Sequence, residues 1–330
     1  MDASGKKGLK IHSINNLELY GPYMCLYSIL VFIAWNVFWY NFQAPNLCTE
    51  EKICPLYPSA GESYSSHKFW SKVAASSFGA SFIVQLHQVL SSDRPAALKV
   101  PLYCAACCNI IACLSHTALA YDFLPVLMSA FGRVSHVARF GEWVSLVPLL
   151  VVMIHSLDIR DAHDTRMLFV SAGMQQISVL AGAVASVVPD LSLAIVFLTI
   201  SIVPYCLIFY DMYRASVRMS AFLVMNISES GAVDKRLNKE GIIKSFYLTL
   251  SCSFCWTFVV IVYLLGVGKV ISHEMEFNLQ SIADVFIKLV YVHTLSLSQI
   301  SVMNEEKLLN TINDVGRFFG KMKYMSYRGG

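Results

Sequence analysis

Apolar runs of roughly 20 residues, separated by polar connections, set the pattern of this chain. They fall at 19–42, 69–90, 99–121, 133–156, 166–187, 191–213, 242–266 and 279–303. A helix rises about 1.5 Å per residue, so each run is long enough to cross a hydrocarbon core roughly 30 Å thick. The pattern predicts an all-α membrane protein of eight spans. Its domains are a polar tail at 1–18, an extra transmembrane helix at 19–42, a polar loop at 43–67, a seven-helix bundle at 68–303 and a tail at 304–330. Trp35, Trp39 and Tyr40 near the end of the first span are expected to form an interfacial aromatic girdle. Leu308, Leu309, Ile312, Val315, Phe319 and Met322 recur in the last tail at helix-face spacing. That spacing suits a helix lying on the membrane surface, or a signalling helix that pairs with its copy in a homodimer and leads to a cytoplasmic effector. These 330 residues show no effector domain.

Composition agrees with a lipid environment. Of 330 residues 56% are hydrophobic and 14% charged, against roughly 25% charged in soluble domains. The net charge of +3 is too small to suggest nucleic acid as a partner. Lysines and arginines collect in the 1–18 tail, the 214–244 connection and the C-terminal tail. An even number of spans puts all three on one side, and the positive-inside rule makes it the cytoplasm, with both termini there. The 43–67 loop then faces outward, where Cys48 and Cys54 are able to pair. Asn226 heads a glycosylation sequon that this topology leaves cytoplasmic and unused. No signal-peptide pattern is present. Cys104, Cys107, Cys108, Cys113, Cys206, Cys252 and Cys255 lie in apolar runs and read as small packing residues. Cys252 and Cys255 have metal-like spacing but no second ligand pair nearby, so no zinc site is expected.

Charges inside the spans carry the chemistry. Asp284 and Lys288, spaced i, i+4, share a face of the last span, and charge at membrane depth is costly enough to point to function. They form either a structural ion pair or a lysine activated to hold a carbonyl group as a Schiff base. Arg139 and Glu142 are i, i+3 neighbours on the fourth span and are expected to pair with each other. Two carboxylates and two cations on two spans suggest one buried, charge-balanced centre.

Arg139-Phe140-Gly141-Glu142-Trp143, then Pro148, with Asp284-x-x-x-Lys288 on the final span, resembles the microbial (type I) rhodopsin family. Trp256-x6-Tyr263-Leu264-Leu265-Gly266 is similar to that family's sixth helix, and Ile200 to Tyr205 resembles its fifth. The resemblance covers about 69–303 and implies all-trans retinal bound to Lys288 as a protonated Schiff base. It further implies Glu142 and Asp284 as counterions, Arg139 beneath them, and Trp143, Trp256, Tyr263 and Tyr205 as pocket walls. Leu146 stands where the family has a hydroxyl-bearing residue one turn after the counterion, with Val147 beside it, and Pro148 matches the motif's proline. Val260 replaces the proline usual in the Trp256 helix.

Met153 replaces the carboxylate by which the family's proton pumps restore the proton, which argues against outward pumping. His155 and Asp158 are expected at the cytoplasmic end of that helix, as relay or interfacial residues. The 99–121 span holds Asn109 and His116 but not the glutamates of the algal cation channels. Val147 and Gln175 replace the channels' cysteine–aspartate gate. Gln175, Gln176 and Ser178 either line a pore or satisfy one another between helices. The extra first helix is similar to the enzyme-linked branch. The resemblance therefore implies a light sensor without catalytic chemistry of its own, with a light-gated ion channel as the alternative.

Overall fold

The computed structural model describes residues 13–42, 62–93, 96–155, 165–226, 234–297 and 300. Eight helices run through them: α1 Ser13–Asn41, α2 Glu62–Ser91, α3 Ala96–Ala120, α4 Val137–His155, α5 Thr165–Val187, α6 Leu191–Asn226, α7 Asp234–Val267 and α8 His273–Val285. The last continues through a π-helical turn, Phe286–Tyr291, into helix again at 292–297. Among the described residues five helices are long and apolar enough to cross a membrane, and the apolar stretches Leu191–Leu207 and Ser253–Val267 are shorter. Cys48, Cys54, Asp158 and the 304–330 tail lie outside the described residues, as do the side chains of His155, Asn226 and Cys252.

Helices form where lipid-length apolar runs leave the backbone no partner but itself. They do not stop where apolarity stops. α6 runs on to Asn226 and α7 starts at Asp234, because adding a residue to an existing helix costs far less than starting one. Local polar groups set the starts: Leu193 N–H donates to Asp190 Oδ1 at 2.8 Å ahead of α6. Ser272 caps α8, its hydroxyl accepting from Met275 N, with Glu274 and Glu276 in the favourable first turn.

The fourth span begins later than its apolar pattern suggests. Residues 133–136 belong to an antiparallel hairpin, β1 Val126–Met128 with β2 Val134–His136, in the register Val126↔His136, Leu127↔Ser135 and Met128↔Val134. Gly132, at φ +70°, supplies the left-handed turn residue. α4 then enters the middle of the bundle, packing on α1, α3 and α5. Its apolar window is 89% buried, against 22% for α1 and for α2, so α4 is the central helix and those two face outward.

α1 seats on α3 and α4 rather than standing apart. Gly21 allows it, since a Cβ there would lie 2.6 Å from Val100 Cγ1. Cys25 Sγ reaches Cys104 Sγ at 3.8 Å and packs against the main apolar cluster, to which Cys104, Met24, Phe32 and Leu149 belong. The expected girdle is therefore divided: Trp39 is 7% exposed and turned inward, Trp35 is half-buried, and Tyr40 is 77% exposed. Gly21→Val is expected to cost about 1–3 kcal/mol, as overpacking does, and to slow oxidative cross-linking of Cys25 to Cys104. Equal cross-linking rates in variant and parent protein would mean that α1 is not seated there.

Candidate functional site

α4 and the last helix each bring an acid and a base to one buried centre. Arg139, Glu142, Asp284 and Lys288 are between 0% and 6% exposed. Lys288 Nζ donates to Glu142 Oε1 at 2.5 Å and lies 3.1 Å from Asp284 Oδ1. Asp284 also accepts from Trp143 Nε1 at 3.3 Å and from Arg139 at 3.2 Å. Arg139 completes its fork on Gln280 Oε1 at 2.9 Å and Ser281 Oγ at 3.1 Å, its guanidinium 4.6 Å from the centre of the Phe277 ring. The formal charges cancel, and each carboxylate is hydrogen-bonded, which is the condition for charge to survive burial.

The expected pairing of Arg139 with Glu142 is replaced by pairing across helices. Both residues turn to the last helix, Arg139 to Asp284 and Glu142 to Lys288. Local spacing places two groups on one face, but a long guanidinium stem selects the partner with better geometry. The i, i+4 pair of Asp284 and Lys288 is present. Lys288 lies inside the π-helical turn, where Val292 N–H bonds Ile287 O, five residues back. Such a turn widens the helix locally and is frequent at functional sites.

Sequence reasoning left several neighbours unplaced. His116 Nε2, fully buried on α3, lies 3.9 Å from Glu142 Oε2. His116, Glu142 and Asp284 bring ligand-type atoms within 4.8 Å of one another. The Lys288 ammonium already supplies the cation both carboxylates need, so the trio reads as charge balance and not as a metal centre. Beyond Arg139 the polar chain continues: Gln280 Nε2 donates to Glu276 Oε1 at 3.1 Å, and Glu276 pairs with Arg133 from the hairpin. Arg133 in turn lies over the Tyr263 ring, 5.4 Å from its centre.

From Lys288 and Asp284 an apolar cavity runs between α4, α5, α6 and α7. Trp143, Leu146, Tyr205, Trp256 and Tyr263 line it, and so do Val147, Leu150 and Val259. Pro148 is buried in α4 but does not line the cavity, and Arg139 lines a smaller one beneath it. Polar tips in the wall are tied back: Tyr263 OH to Ser186 at 2.6 Å and Tyr205 OH to Thr257 at 2.9 Å. Gln175, Gln176 and Ser178 do not satisfy one another. Ser178 donates to Ser201 O at 2.7 Å, Gln176 accepts from Tyr27 OH, and Gln175 Oε1 has no hydrogen-bond partner. The arrangement is a mainly apolar, aromatic-walled slot ending at one primary amine.

The fold and this centre define a helical membrane protein built around a buried, clasped lysine. The chain belongs to the bacteriorhodopsin-like protein family, whose model matches residues 63–301. Members of that family bind retinal as their chromophore, and retinal is the cofactor here. Similar solved structures include the transmembrane domain of the Salpingoeca rosetta rhodopsin phosphodiesterase, at 15% identity and TM-score 0.62, covering 87% of this chain and 98% of that one. That protein's transmembrane domain with its linker region gives 15% identity and TM-score 0.64, with 90% and 96% covered. The proton pumping rhodopsin AR2 from the marine alga Acetabularia acetabulum gives 19% and 0.59, with 74% and 97% covered. A comparison with curated proteins gives no match.

Asp284→Asn removes the only carboxylate bonded to Arg139 among the described residues. Breaking such a buried pair is expected to cost about 3–5 kcal/mol, read as a lower thermal unfolding midpoint of the purified protein. An unchanged midpoint would mean that Arg139 is solvated instead of clasped.

Proposed function

We propose that the chain is an eight-span retinal photoreceptor, the light-sensing domain of a signalling or effector-coupled rhodopsin. The observation that carries this reading is Lys288 Nζ, held 2.5 Å from one buried carboxylate and 3.1 Å from another at the closed end of an aromatic slot. Retinal joined covalently to Lys288 Nζ supplies light absorption and a change of shape. The protein's own residues do the rest. Glu142 and Asp284 hold a positive charge on that nitrogen in a place that would otherwise strip it away. Arg139 balances the second carboxylate. Trp143 and Trp256 keep water from the slot and give the ring system flat walls. Light-driven rearrangement at Lys288 loosens its pairing with Glu142 and Asp284, and the helices bearing Trp256 and Lys288 shift to a second packing. The last helix passes that shift into the 304–330 tail, toward a cytoplasmic effector or a second copy of the chain. Both termini are assigned to the cytoplasm.

Two further observations favour a sensor. Met153, whose side chain carries no proton, is fully buried in the main apolar cluster. Likeness to the rhodopsin phosphodiesterase structures extends over 87% and 90% of this chain, against 74% for the proton pump, in keeping with a partner for α1. By analogy with that protein, the domain regulates an enzyme and does no catalysis itself.

Protein reconstituted with all-trans retinal is expected to show a visible absorption band that is lost in Lys288→Ala and displaced in Glu142→Gln. An unchanged band in Glu142→Gln removes that residue from its role. Illuminated cells expressing the chain are expected to carry no stationary photocurrent; a sustained current would make it a light-gated channel.

A further inference from the structure

α1 precedes the family match at 63–301, yet it grips α4 on both sides of Glu142. Trp35 lies against Gly141, where a Cβ would come within 2.8 Å of the indole Nε1 and 3.1 Å of Cγ. The same Nε1 donates to Val137 O at 2.8 Å. In an α-helix that carbonyl faces the amide four residues on, here Gly141, so the indole shares the acceptor of the helix's first turn. Further along, Tyr27 OH donates to Gln176 Oε1 at 2.6 Å, and Gln176 Nε2 donates to Val144 O at 3.3 Å. Glu142 lies between these attachments. From α3, Ser115 Oγ donates to Ala138 O at 3.0 Å, the carbonyl one turn before Glu142.

We infer that Trp35 is a positioning residue for Glu142: the indole, seated on Gly141 and bonded to Val137 O, sets the depth and rotation of α4 and so the reach of the Glu142 carboxylate to Lys288. The inference rests on the reading of Lys288 and Glu142 given above. The reason for sensitivity is Coulombic. Two opposite charges in contact change their interaction steeply with separation, and Glu142 is fully buried, away from bulk solvent that would screen a change. A small displacement of α4 therefore reaches the charge centre directly. Glycine at position 141 is the condition for the contact, since any side chain there would push the indole away. Trp35 touches no part of the cavity and acts only through α4.

Trp39 gives the internal control. It is buried in the same apolar cluster, next to Trp35, but its Nε1 has no hydrogen-bond partner. The test compares Trp35→Phe, Gly141→Ala, their double variant and Trp39→Phe in the full chain. Each is measured by amide hydrogen exchange at 137–143, with and without retinal, and by the position of the visible band. Trp35→Phe keeps an aromatic ring and deletes the N–H. It is expected to speed exchange of the Gly141 and Glu142 amides about three- to tenfold, the size of one lost hydrogen bond, and to displace the band. Gly141→Ala reproduces both effects and carries the test should Trp35→Phe fail to fold. The double variant adds nothing further, because the two residues act through one contact. Trp39→Phe leaves exchange and band as in the parent.

Exchange and band unchanged in Trp35→Phe, or equal effects of Trp35→Phe and Trp39→Phe, would overturn the assignment. If the parent protein forms no visible band, the chromophore reading fails, while exchange in the same retinal-free protein still decides whether Trp35 holds α4.

Discussion

A lysine ammonium clasped by two carboxylates inside a bilayer-thick bundle is the constraint on which this structure depends. Any one of these charges alone would be driven to neutrality or to the surface. Glu142, Asp284, Lys288 and Arg139 persist because they cancel, and because Trp143 adds a hydrogen bond to Asp284 while Gln280 and Ser281 accept from Arg139. The cluster fixes the rotation of α4 and of the last helix about their own axes. Only one face of each can supply the partners, and the apolar faces then fall to the core and to lipid.

The rest of the architecture holds that clasp in place. α4 is the most buried apolar span, and it is held from three sides by α1, α3 and α5. The hairpin ahead of it closes one end, and Arg133 ties it to Glu276 on the last helix. From there a continuous line of polar groups, Glu276 to Gln280 to Arg139 to Asp284, leads inward to Lys288. The opposite side of Lys288 opens on the apolar slot. A buried charge with a polar approach on one side and an apolar cavity on the other is suited to hold a chromophore and to register a change in its charge.

Much of this is legible in the chain itself. Charged residues in otherwise apolar runs stand out, so Arg139, Glu142, Asp284 and Lys288 are visible in the sequence. The aromatic walls follow from the resemblance their spacing carries. Partner choice is not legible: sequence spacing joins Arg139 to Glu142, whereas side-chain reach joins each to the last helix. Arg133 and Glu276 escape notice because each sits at the polar edge of a span, where a charge attracts no comment. Trp35 reads as an interfacial anchor and becomes a packing residue only once α1 is laid against Gly141. Gln175, Gln176 and Ser178 look interchangeable as a row, yet Gln176 and Ser178 bond different neighbours and Gln175 Oε1 bonds none. The helix ends of α6 and α7 run past the apolar signal, because helix propagation and lipid contact obey different limits.

The most direct measurement is chemical. Protein incubated with all-trans retinal, reduced with borohydride and digested for mass analysis should carry a single retinyl group, on the peptide containing Lys288 and at that lysine. A retinyl group on another lysine, or none at all, would contradict the account.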